Sequence, residues 1–417
     1  MYVKLGRWSI GFAVMVFGGA VSVVGAQTHD HKQMQMDMAT TGWHVMQEGQ
    51  LLGLLNHQGG PRGGDELKAP NWWMGMASRR VASSQLTLSG MFSLDAATVG
   101  RHGYGELFQV GEAVSGEPLV DRQHPHDLFM QVAAAWRVPI APGTGLTIAG
   151  GPAGEPALGP VAFMHRASAV DNPLAPLGHH TFDSTHIAFG VVTVALDRGA
   201  WVLEGSLFNG REPDEHRWDF DFGRMDSVSG RVWFRPSERW ELQASTGHLK
   251  DPEELHPGDV QRTTASLSWL AGNGVDFTAV AAGYGANATP EITRHAVFAE
   301  ATRLVGANSW FGRIEAVQVE SDLLLHATDA HNGERPAKST VGAITAGLHR
   351  ELFRWRGFEG GAGAMVTAYA VPAVLRPTHG SRPLSFQLFL RVRPPAGPMG
   401  RMLNMRMGQP MPDGSGI

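Results

Sequence analysis

Cysteine is absent from this 417-residue chain, and its absence excludes several kinds of site at once. Disulfide bonds, zinc sites built on thiolates and lipid anchors attached to cysteine all require that residue. The chain also lacks an excess of basic residues, since 34 Lys and Arg stand against 39 Asp and Glu. Because nucleic-acid binding needs a clustered basic surface, we expect no nucleic-acid partner.

Long apolar runs are missing everywhere except at the N-terminus. Lys4 and Arg7 begin a segment that continues with the apolar stretch Trp8 to Val24 and ends with the small residues Gly25 and Ala26. This order is typical of a secretory signal peptide, so residues 1–26 are predicted to be removed. No later run reaches the ~18 apolar residues that a membrane-spanning helix needs. A mature chain embedded in a membrane would therefore have to cross it with β-strands.

Polar and apolar residues alternate along many segments of the mature chain. Between residues 85 and 94, Leu and Phe occupy even positions, whereas Gln, Thr and Ser occupy most odd ones; segments 262–269 and 384–392 repeat the pattern. Such a period of two indicates strands with one apolar and one polar face. Their length of about ten residues suits a tilted strand that crosses a bilayer, whereas strands of soluble sandwiches are usually shorter.

The pattern predicts sixteen strands, at residues 43–56, 71–79, 85–95, 128–138, 144–151, 186–196, 200–208, 227–235, 239–248, 259–270, 275–284, 294–304, 309–320, 338–350, 355–369 and 384–393. Short turns, such as 197–199 and 236–238, alternate with long polar loops. This alternation is typical of an outer-membrane barrel, which has turns on the periplasmic side and loops outside. A soluble propeller is disfavoured because no repeat of roughly forty residues is present.

We therefore predict an all-β fold, an antiparallel transmembrane barrel of about sixteen strands over residues 43–393, with long loops folded into its mouth. Its predicted location is the outer membrane of a Gram-negative cell, with both termini in the periplasm. Outer-membrane lipid is then one partner, and tryptophans near strand ends are predicted interfacial anchors, namely Trp72, Trp73, Trp136, Trp201, Trp269 and Trp310.

Charged residues of both signs are predicted on the inner wall. A barrel of this size encloses an aqueous channel unless something fills it. The mixed signs favour passage of polar solutes without a strong charge preference. The predicted pore-lining residues are Glu204, Arg231, Arg235, Glu241, Arg262, Arg313 and Glu315.

Histidine and aspartate gather in the two longest predicted loops, 96–127 and 151–185. Loops of about thirty residues are uncommon and tend to be functional or folded against the rest of the protein. If the two loops meet, their side chains would form a nitrogen and oxygen site suited to zinc, copper or nickel. The candidate ligands are His124, His126, Asp127, His179, His180, Asp183 and His186, with His165 as a further candidate. Alternatively, and in our view more simply, these side chains satisfy backbone groups and pair with arginines in the lumen.

An enzymatic alternative rests on Ser184, which follows Asp183 and lies near His186. Some outer-membrane barrels are lipid hydrolases with a serine and a histidine, but those residues face the lipid, and no Gly-x-Ser-x-Gly elbow surrounds Ser184. We therefore predict a protein without catalytic residues and keep a metal-dependent or serine-type hydrolase as the alternative.

A third long loop, Arg211 to Ser227, alternates acidic and basic residues. The Asp and Gly spacing of a calcium loop is missing. We expect a salt-bridged cap over the mouth of the barrel.

The segments 27–42 and 394–417 flank the predicted barrel and are rich in methionine, with little prospect of packing in a core. Thioethers suit soft Cu(I), which makes copper a candidate cofactor and periplasmic copper-carrying proteins candidate partners. An ordinary disordered tail of biased composition explains the pattern equally well. The candidate ligands are Met34, Met36, Met38, Met402, Met405 and Met407.

Three stretches between Leu119 and Asp221 carry a resemblance. "LVDRQHPHDLFM", "GEPALGPVAFMHRASAVDNPLAPLGHHTFDSTH" and "FNGREPDEHRWDFD" together resemble a family of predicted outer-membrane proteins of Gram-negative bacteria. The resemblance implies an exported barrel and brings no assigned activity. The His- and Met-rich tails are similar in style to outer-membrane copper-resistance proteins. Together these observations predict a porin-like channel for small polar solutes or ions, with copper handling as its more specific form.

Overall fold

Sixteen antiparallel strands close into one barrel in the computed structural model, which describes residues 42–254, 257–272, 276–325, 338–396 and 403–405. They are β1 (Trp43–Gln58), β2 (Gly64–Lys68 and Asn71–Val81), β3 (Ser84–Phe92), β4 (Phe129–Ala141), β5 (Thr144–Gly154), β6 (Ala188–Arg198), β7 (Trp201–Phe208), β8 (Ser227–Ser237), β9 (Trp240–Leu249), β10 (Val260–Gly272), β11 (Phe277–Ala288), β12 (Thr293–Val305), β13 (Asn308–Glu320), β14 (Lys338–Trp355), β15 (Phe358–Ala370) and β16 (Leu384–Arg393). The predicted fold class and number of strands are confirmed.

Strand pairing shows how the barrel closes. Each strand pairs with its neighbour in sequence, and β1 pairs with β16, with Leu55 opposite Leu388. Both parts of β2 pair with β1 in one register, since Lys68 lies opposite Leu54 and Asn71 opposite Leu51. We count them as one strand for that reason. Closure leaves no free sheet edge, so every strand finds hydrogen-bond partners on both sides.

Side chains point alternately outward and inward, as the period of two predicts. On β16, Leu388 and Leu390 are exposed on the outer face, whereas Ser385 and Gln387 are buried on the inner face. The apolar face is therefore the outer one, the reverse of a soluble sheet, and it forms the band expected of a barrel in lipid. The described residues contain no helix long and apolar enough to span a membrane.

The connections differ at the two ends of the barrel. One end carries turns of two residues, for example 199–200 and 306–307, where Gly199 and Gly306 each have a φ of +56° that favours glycine. The other end carries the long loops. Trp43 pairs with Arg79, beside the turn after β2, so the first strand begins at the short-turn end. The last strand ends there as well, since Arg393 pairs with Glu359.

Two of the long loops fold into the barrel, and we call them together the plug: loop 1 (residues 93–128) and loop 2 (residues 155–187). Loop 2 contains only short helical turns, Phe163–His165, Ala167–Ala169, His179–Phe182 and Ser184–His186. Hydrogen bonds fasten it to the wall, with the amide of Ala157 donating to Ser206 at 2.7 Å and that of Gly159 to Ser245 at 2.9 Å. The wall strands carry small residues where loop 2 approaches them. A Cβ on Gly285 would lie 2.9 Å from the ring of Phe182.

Methionines form a contact between the wall and the C-terminal segment. Met46, Met74, Met76 and Met91 point inward from the first strands and pack with Met130 and with Met405 from the C-terminal segment; we call these six residues the methionine cluster. Met405 is only 3% exposed, so the expectation that it belongs to an unpacked tail is wrong. Its segment returns into the lumen, where the amide of Asn404 donates to the carbonyl of His165 at 2.7 Å.

The structure also bears on the predicted interfacial anchors and on the predicted chain ends. Trp72 is buried on the inner face against the ring of His165, so it is not an interfacial anchor. Its place in the β2 pattern explains this, because Trp72 shares the inward parity of Met74 and Met76. The signal peptide, the N-terminal tail with Met34, Met36 and Met38, and the C-terminal residues Met402 and Met407 lie outside the described residues.

Candidate functional site

The two histidine-rich stretches meet inside the barrel. The ring centres of His124 and His179 lie 5.8 Å apart, and those of His126 and His186 lie 5.9 Å apart. His180 completes the group, with its ring centre 5.4 Å from that of His124. Five histidines from loops 1 and 2, here called the histidine cluster, thus form one group in the plug, in which His124, His126 and His179 are buried and His180 and His186 are partly buried.

Each ring of the histidine cluster has an oxygen partner that fixes its orientation. In every case Nδ1 is the atom involved. The partners are Glu112 for His124 at 3.2 Å, Asp95 for His126 at 2.9 Å, Asp183 for His179 at 2.7 Å, Glu212 for His180 at 3.0 Å and the carbonyl of Asp183 for His186 at 2.7 Å.

Electrostatics keep most of these rings neutral. Burial lowers the pKa of His124 and of His186 well below the usual range, and it lowers the pKa of His179 despite the nearby carboxylate of Asp183. At His180, burial also opposes protonation, but the carboxylates of Glu212, Glu112 and Glu253 together outweigh it and the pKa is raised. His180 is therefore the ring most ready to carry a positive charge at neutral pH.

Three ring nitrogens lack partners. The Nε2 atoms of His126, His179 and His186 are buried and have no hydrogen-bond partner among the described residues. Among the described residues, no three His, Asp or Glu side chains stand at distances that would hold a metal ion. Buried nitrogens without partners are uncommon in proteins and call for an explanation.

The predicted aspartate ligands have other partners. Asp183 binds Arg166 at 2.9 Å as well as His179, and Asp127 binds Arg217 of the third long loop at 3.1 Å. Arg217 also pairs with Glu112, so it ties the third loop to loop 1. These carboxylates orient the site and hold the loops together, which matches the structural alternative considered for the sequence.

The remaining histidine candidate, His165, lies elsewhere. Its ring centre is 5.2 Å from that of Trp72, next to the methionine cluster, and burial lowers its pKa to about 4. Its Nδ1 is buried without a partner among the described residues.

Ser184 contacts an arginine of the barrel wall. Its hydroxyl accepts a hydrogen bond from Arg262 at 2.9 Å. No hydrogen bond links Ser184 to a histidine within the described ranges, whereas an activated serine needs an adjacent base.

All seven predicted pore-lining residues lie on the inner face of the barrel. Arg231 binds Glu204 at 2.6 Å and Glu155 of loop 2 at 2.9 Å, while Glu315 accepts from the amide of Leu177 at 2.7 Å. Arg262 and Arg313 also hold loop 2, whereas Arg235 and Glu241 form a 2.6 Å pair with each other. Passage of solutes along these residues stays a prediction, because the structure records their contacts with the plug.

A cavity of about 270 Å³ opens at the loop end of the barrel. Acidic and basic groups line it, including Glu212, Asp251, Glu253 and Arg294, together with His180 of the histidine cluster. The third long loop supplies part of the lining, and its predicted salt bridges are present, for example Arg211 with Asp226 at 3.0 Å. The sequence did not reveal this cavity, because its lining comes from several loops that are far apart along the chain.

Three solved structures share this barrel fold. OprB of Pseudomonas putida covers 87% of this chain and 96% of its own, with a TM-score of 0.53 and 9% identity. An anion-selective porin from Comamonas acidovorans covers 84% and 100%, with a TM-score of 0.51 and 10% identity. OmpT of Vibrio cholerae, in a form lacking loop L8, covers 84% and 99%, with a TM-score of 0.50 and 10% identity.

At these identities, the likeness shows a porin-like barrel fold and nothing finer. A scan against models of protein families gives no match. A search of curated proteins gives none either.

Proposed function

We propose that this protein is an outer-membrane channel for small polar solutes or ions, whose lumen is closed by its own plug in the state described. The closed sixteen-stranded barrel, apolar outside and polar inside, carries the proposal. A closed barrel of this kind is stable in lipid, and a barrel of this size can enclose an aqueous channel. By analogy with such barrels, the short-turn end and both chain ends would face the periplasm.

The packing of the plug sets the condition for transport. One cavity between Glu106 and Asn172 of the plug and Arg313 and Thr345 of the wall has a volume of about 10 Å³. This is at the lower limit for a single water molecule. We infer that solutes pass when the plug moves away from the wall.

Conductance across a planar lipid bilayer tests this function. Arg166 joins Asp183 of loop 2 to Glu300 of β12, at 2.9 and 2.7 Å. We expect the full mature chain to give stepwise currents, and the variant Arg166→Gln to give larger or more frequent steps, because its plug is less firmly held.

Arg235→Gln is the matched control. It breaks an ion pair between two neighbouring wall strands, Arg235 of β8 with Glu241 of β9, at 2.6 Å. Its currents should match those of the unmodified protein. The proposal is contradicted if neither the native chain nor Arg166→Gln conducts while both migrate as folded barrels on unheated gels.

Copper handling remains a more specific form of the same proposal. The tails that suggested it lie largely outside the described residues, but Met405 adds its thioether to five others of the methionine cluster. Thioethers so placed suit Cu(I), although methionine also fills irregular gaps between packed surfaces.

A further inference from the structure

The three unpartnered nitrogens of the histidine cluster have the same chemical character. The Nδ1 of His186 contacts a backbone carbonyl, which can only accept, so that Nδ1 carries the proton. The Nδ1 atoms of His126 and His179 contact the carboxylates of Asp95 and Asp183 and donate to them in the same way. In a neutral imidazole, the other nitrogen then presents a lone pair. His126, His179 and His186 therefore each present a buried acceptor without a donor.

The spacing of His186 from the other two rings is close to that of ligands around one ion. The ring centre of His186 lies 5.2 Å from that of His179 and 5.9 Å from that of His126. Two imidazoles bound to one tetrahedral ion at about 2.0–2.1 Å have ring centres about 5 Å apart. Since no three donors stand at binding distance among the described residues, the rings must move to close around an ion.

A cation satisfies these groups better than water does. One water molecule has two donors, so a single water leaves one of the three lone pairs unsatisfied. A divalent ion of the first transition row accepts all three, and neutral imidazole is a preferred ligand of such ions. Hydrogen bonds from Nδ1 to a carboxylate or carbonyl are the usual outer contacts of metal-bound histidines, because they fix the ring and its tautomer.

The proposed site lies beside the cavity at the loop end of the barrel, with His180 between them. The carboxylates of Glu212 and Glu253 line the 270 Å³ cavity at the loop end, and His180 lines it as well. The ring centre of His180 lies 5.2 Å from that of His179. An acidic cavity raises the local concentration of cations, so an ion would meet His180 before the buried rings.

We propose that His126, His179 and His186 bind one divalent transition-metal ion through Nε2, with Asp95 and Asp183 as positioning residues. The ion joins loop 1 to loop 2, because His126 belongs to the first and the other two to the second. Metal binding thus fastens the two parts of the plug to each other. This inference does not depend on channel activity, since it concerns the folded chain in detergent.

Titration with Co²⁺ tests the site, because its visible absorption reports tetrahedral nitrogen coordination directly. The protein is the full mature chain without an affinity tag of histidines, carrying His29→Gln and His31→Gln in every arm so that the N-terminal tail does not contribute. We expect one Co²⁺ per chain with the tetrahedral spectrum, and binding at least tenfold weaker in His126→Gln and in His186→Gln.

His216→Gln is the matched control, since His216 also pairs with a carboxylate, Asp214 at 3.3 Å, but is exposed on the third loop. It should bind Co²⁺ like the parent. If His126→Gln fails to fold, the partly exposed His186→Gln carries the test. The absence of the tetrahedral spectrum in the folded parent, or its persistence at unchanged affinity in the ligand variants, overturns the proposal.

Discussion

Arg166 shows how single charged residues hold the plug in place. Its guanidinium is buried between Asp183 of its own loop and Glu300 of the wall, and Glu300 also binds Arg313 at 3.0 Å. Charges buried in this way are costly unless each is paired. Removing one partner therefore weakens the contact far more than the loss of a surface ion pair would.

His165 gives a prediction about pH. Its pKa is lowered to about 4 by burial, while the carboxylate of Glu48 acts in the opposite direction. The unfolded chain binds a proton near pH 6.5, whereas the folded chain binds it only near pH 4. The neutral ring of His165 therefore makes its full contribution to the free energy of unfolding above about pH 6.5. This contribution falls as the pH falls toward 4, and about 2 kcal/mol of it is lost by pH 5.

The measurement is the free energy of unfolding by guanidinium in detergent micelles, at pH 7.5 and at pH 5.0. His165→Gln should lose about 2 kcal/mol less than the native chain over this interval. The exposed His216, changed to Gln, should leave the native pH dependence intact. An equal pH dependence for His165→Gln and the native chain would refute the prediction.

The sequence identified many of these residues but not their partners. Histidines 124, 126, 179, 180 and 186 stood out because they are dense within two loops. Their orienting groups did not, because Asp95 and Glu212 look like ordinary surface carboxylates in the sequence. A partner that comes from another loop depends on the path of both loops, which local patterns do not encode.

Among the elements, the strands were predictable and the loops were not. A strand that faces lipid on one side and polar groups on the other must alternate, so β16 could be placed at its observed bounds, Leu384–Arg393. The inward direction of some methionines can also be read from the sequence, because Met74 and Met76 occupy the same alternate positions as polar residues on neighbouring strands. The return of the chain into the lumen at Asn404 follows no period and left no such signal.

The C-terminal segment gives a prediction at this scale. The side-chain oxygen of Asn404 accepts the amide of Ala167 at 3.0 Å. In Asn404→Ala that buried amide loses its acceptor, at a cost of about 1–3 kcal/mol. We expect peptides covering residues 163–172 to exchange their amide hydrogens roughly tenfold faster.

Hydrogen exchange followed by mass spectrometry measures this change. Peptides from residues 209–226, in the third loop, serve as the internal control and should exchange at the native rate. Unchanged exchange in peptides of residues 163–172 would mean that Asn404 does not secure loop 2.

For the whole molecule, the outer surface decides where the barrel sits. Ile314 lies near the middle of β13 and Leu352 lies close to the short-turn end of β14. Both side chains point outward, with 60% and 61% of their surface exposed. In lipid, Ile314→Arg should reduce the free energy of unfolding by about 2–4 kcal/mol, and Leu352→Arg by about 0–1 kcal/mol.

Urea unfolding in lipid vesicles compares the two variants. They introduce the same residue at equally exposed positions, so each controls for the other. Equal losses of stability would show that depth in a bilayer does not determine the effect of an arginine at these two sites.

The barrel as a whole followed from the sequence because a few rules constrain it together: alternation, strand length and an even number of strands. The filled lumen did not follow from them. Whether a loop of thirty residues extends outward or folds inward depends on matching contacts such as Gly159 with Ser245, which join parts of the chain 86 residues apart.

The depth of the ion pairs between plug and wall has one more consequence. At an ionic strength of about 0.1 M, salt largely screens interactions between exposed charges more than about 10 Å apart, but it acts far less on pairs shielded from solvent. Arg166, Glu300 and Arg313 are nearly inaccessible to solvent. Their ion pairs should therefore be equally stable at high and at low ionic strength. A change of salt concentration around the cell is therefore a poor signal for opening the plug. A signal that opens it has to offer Arg166, Glu300 and Arg313 other ion-pair partners.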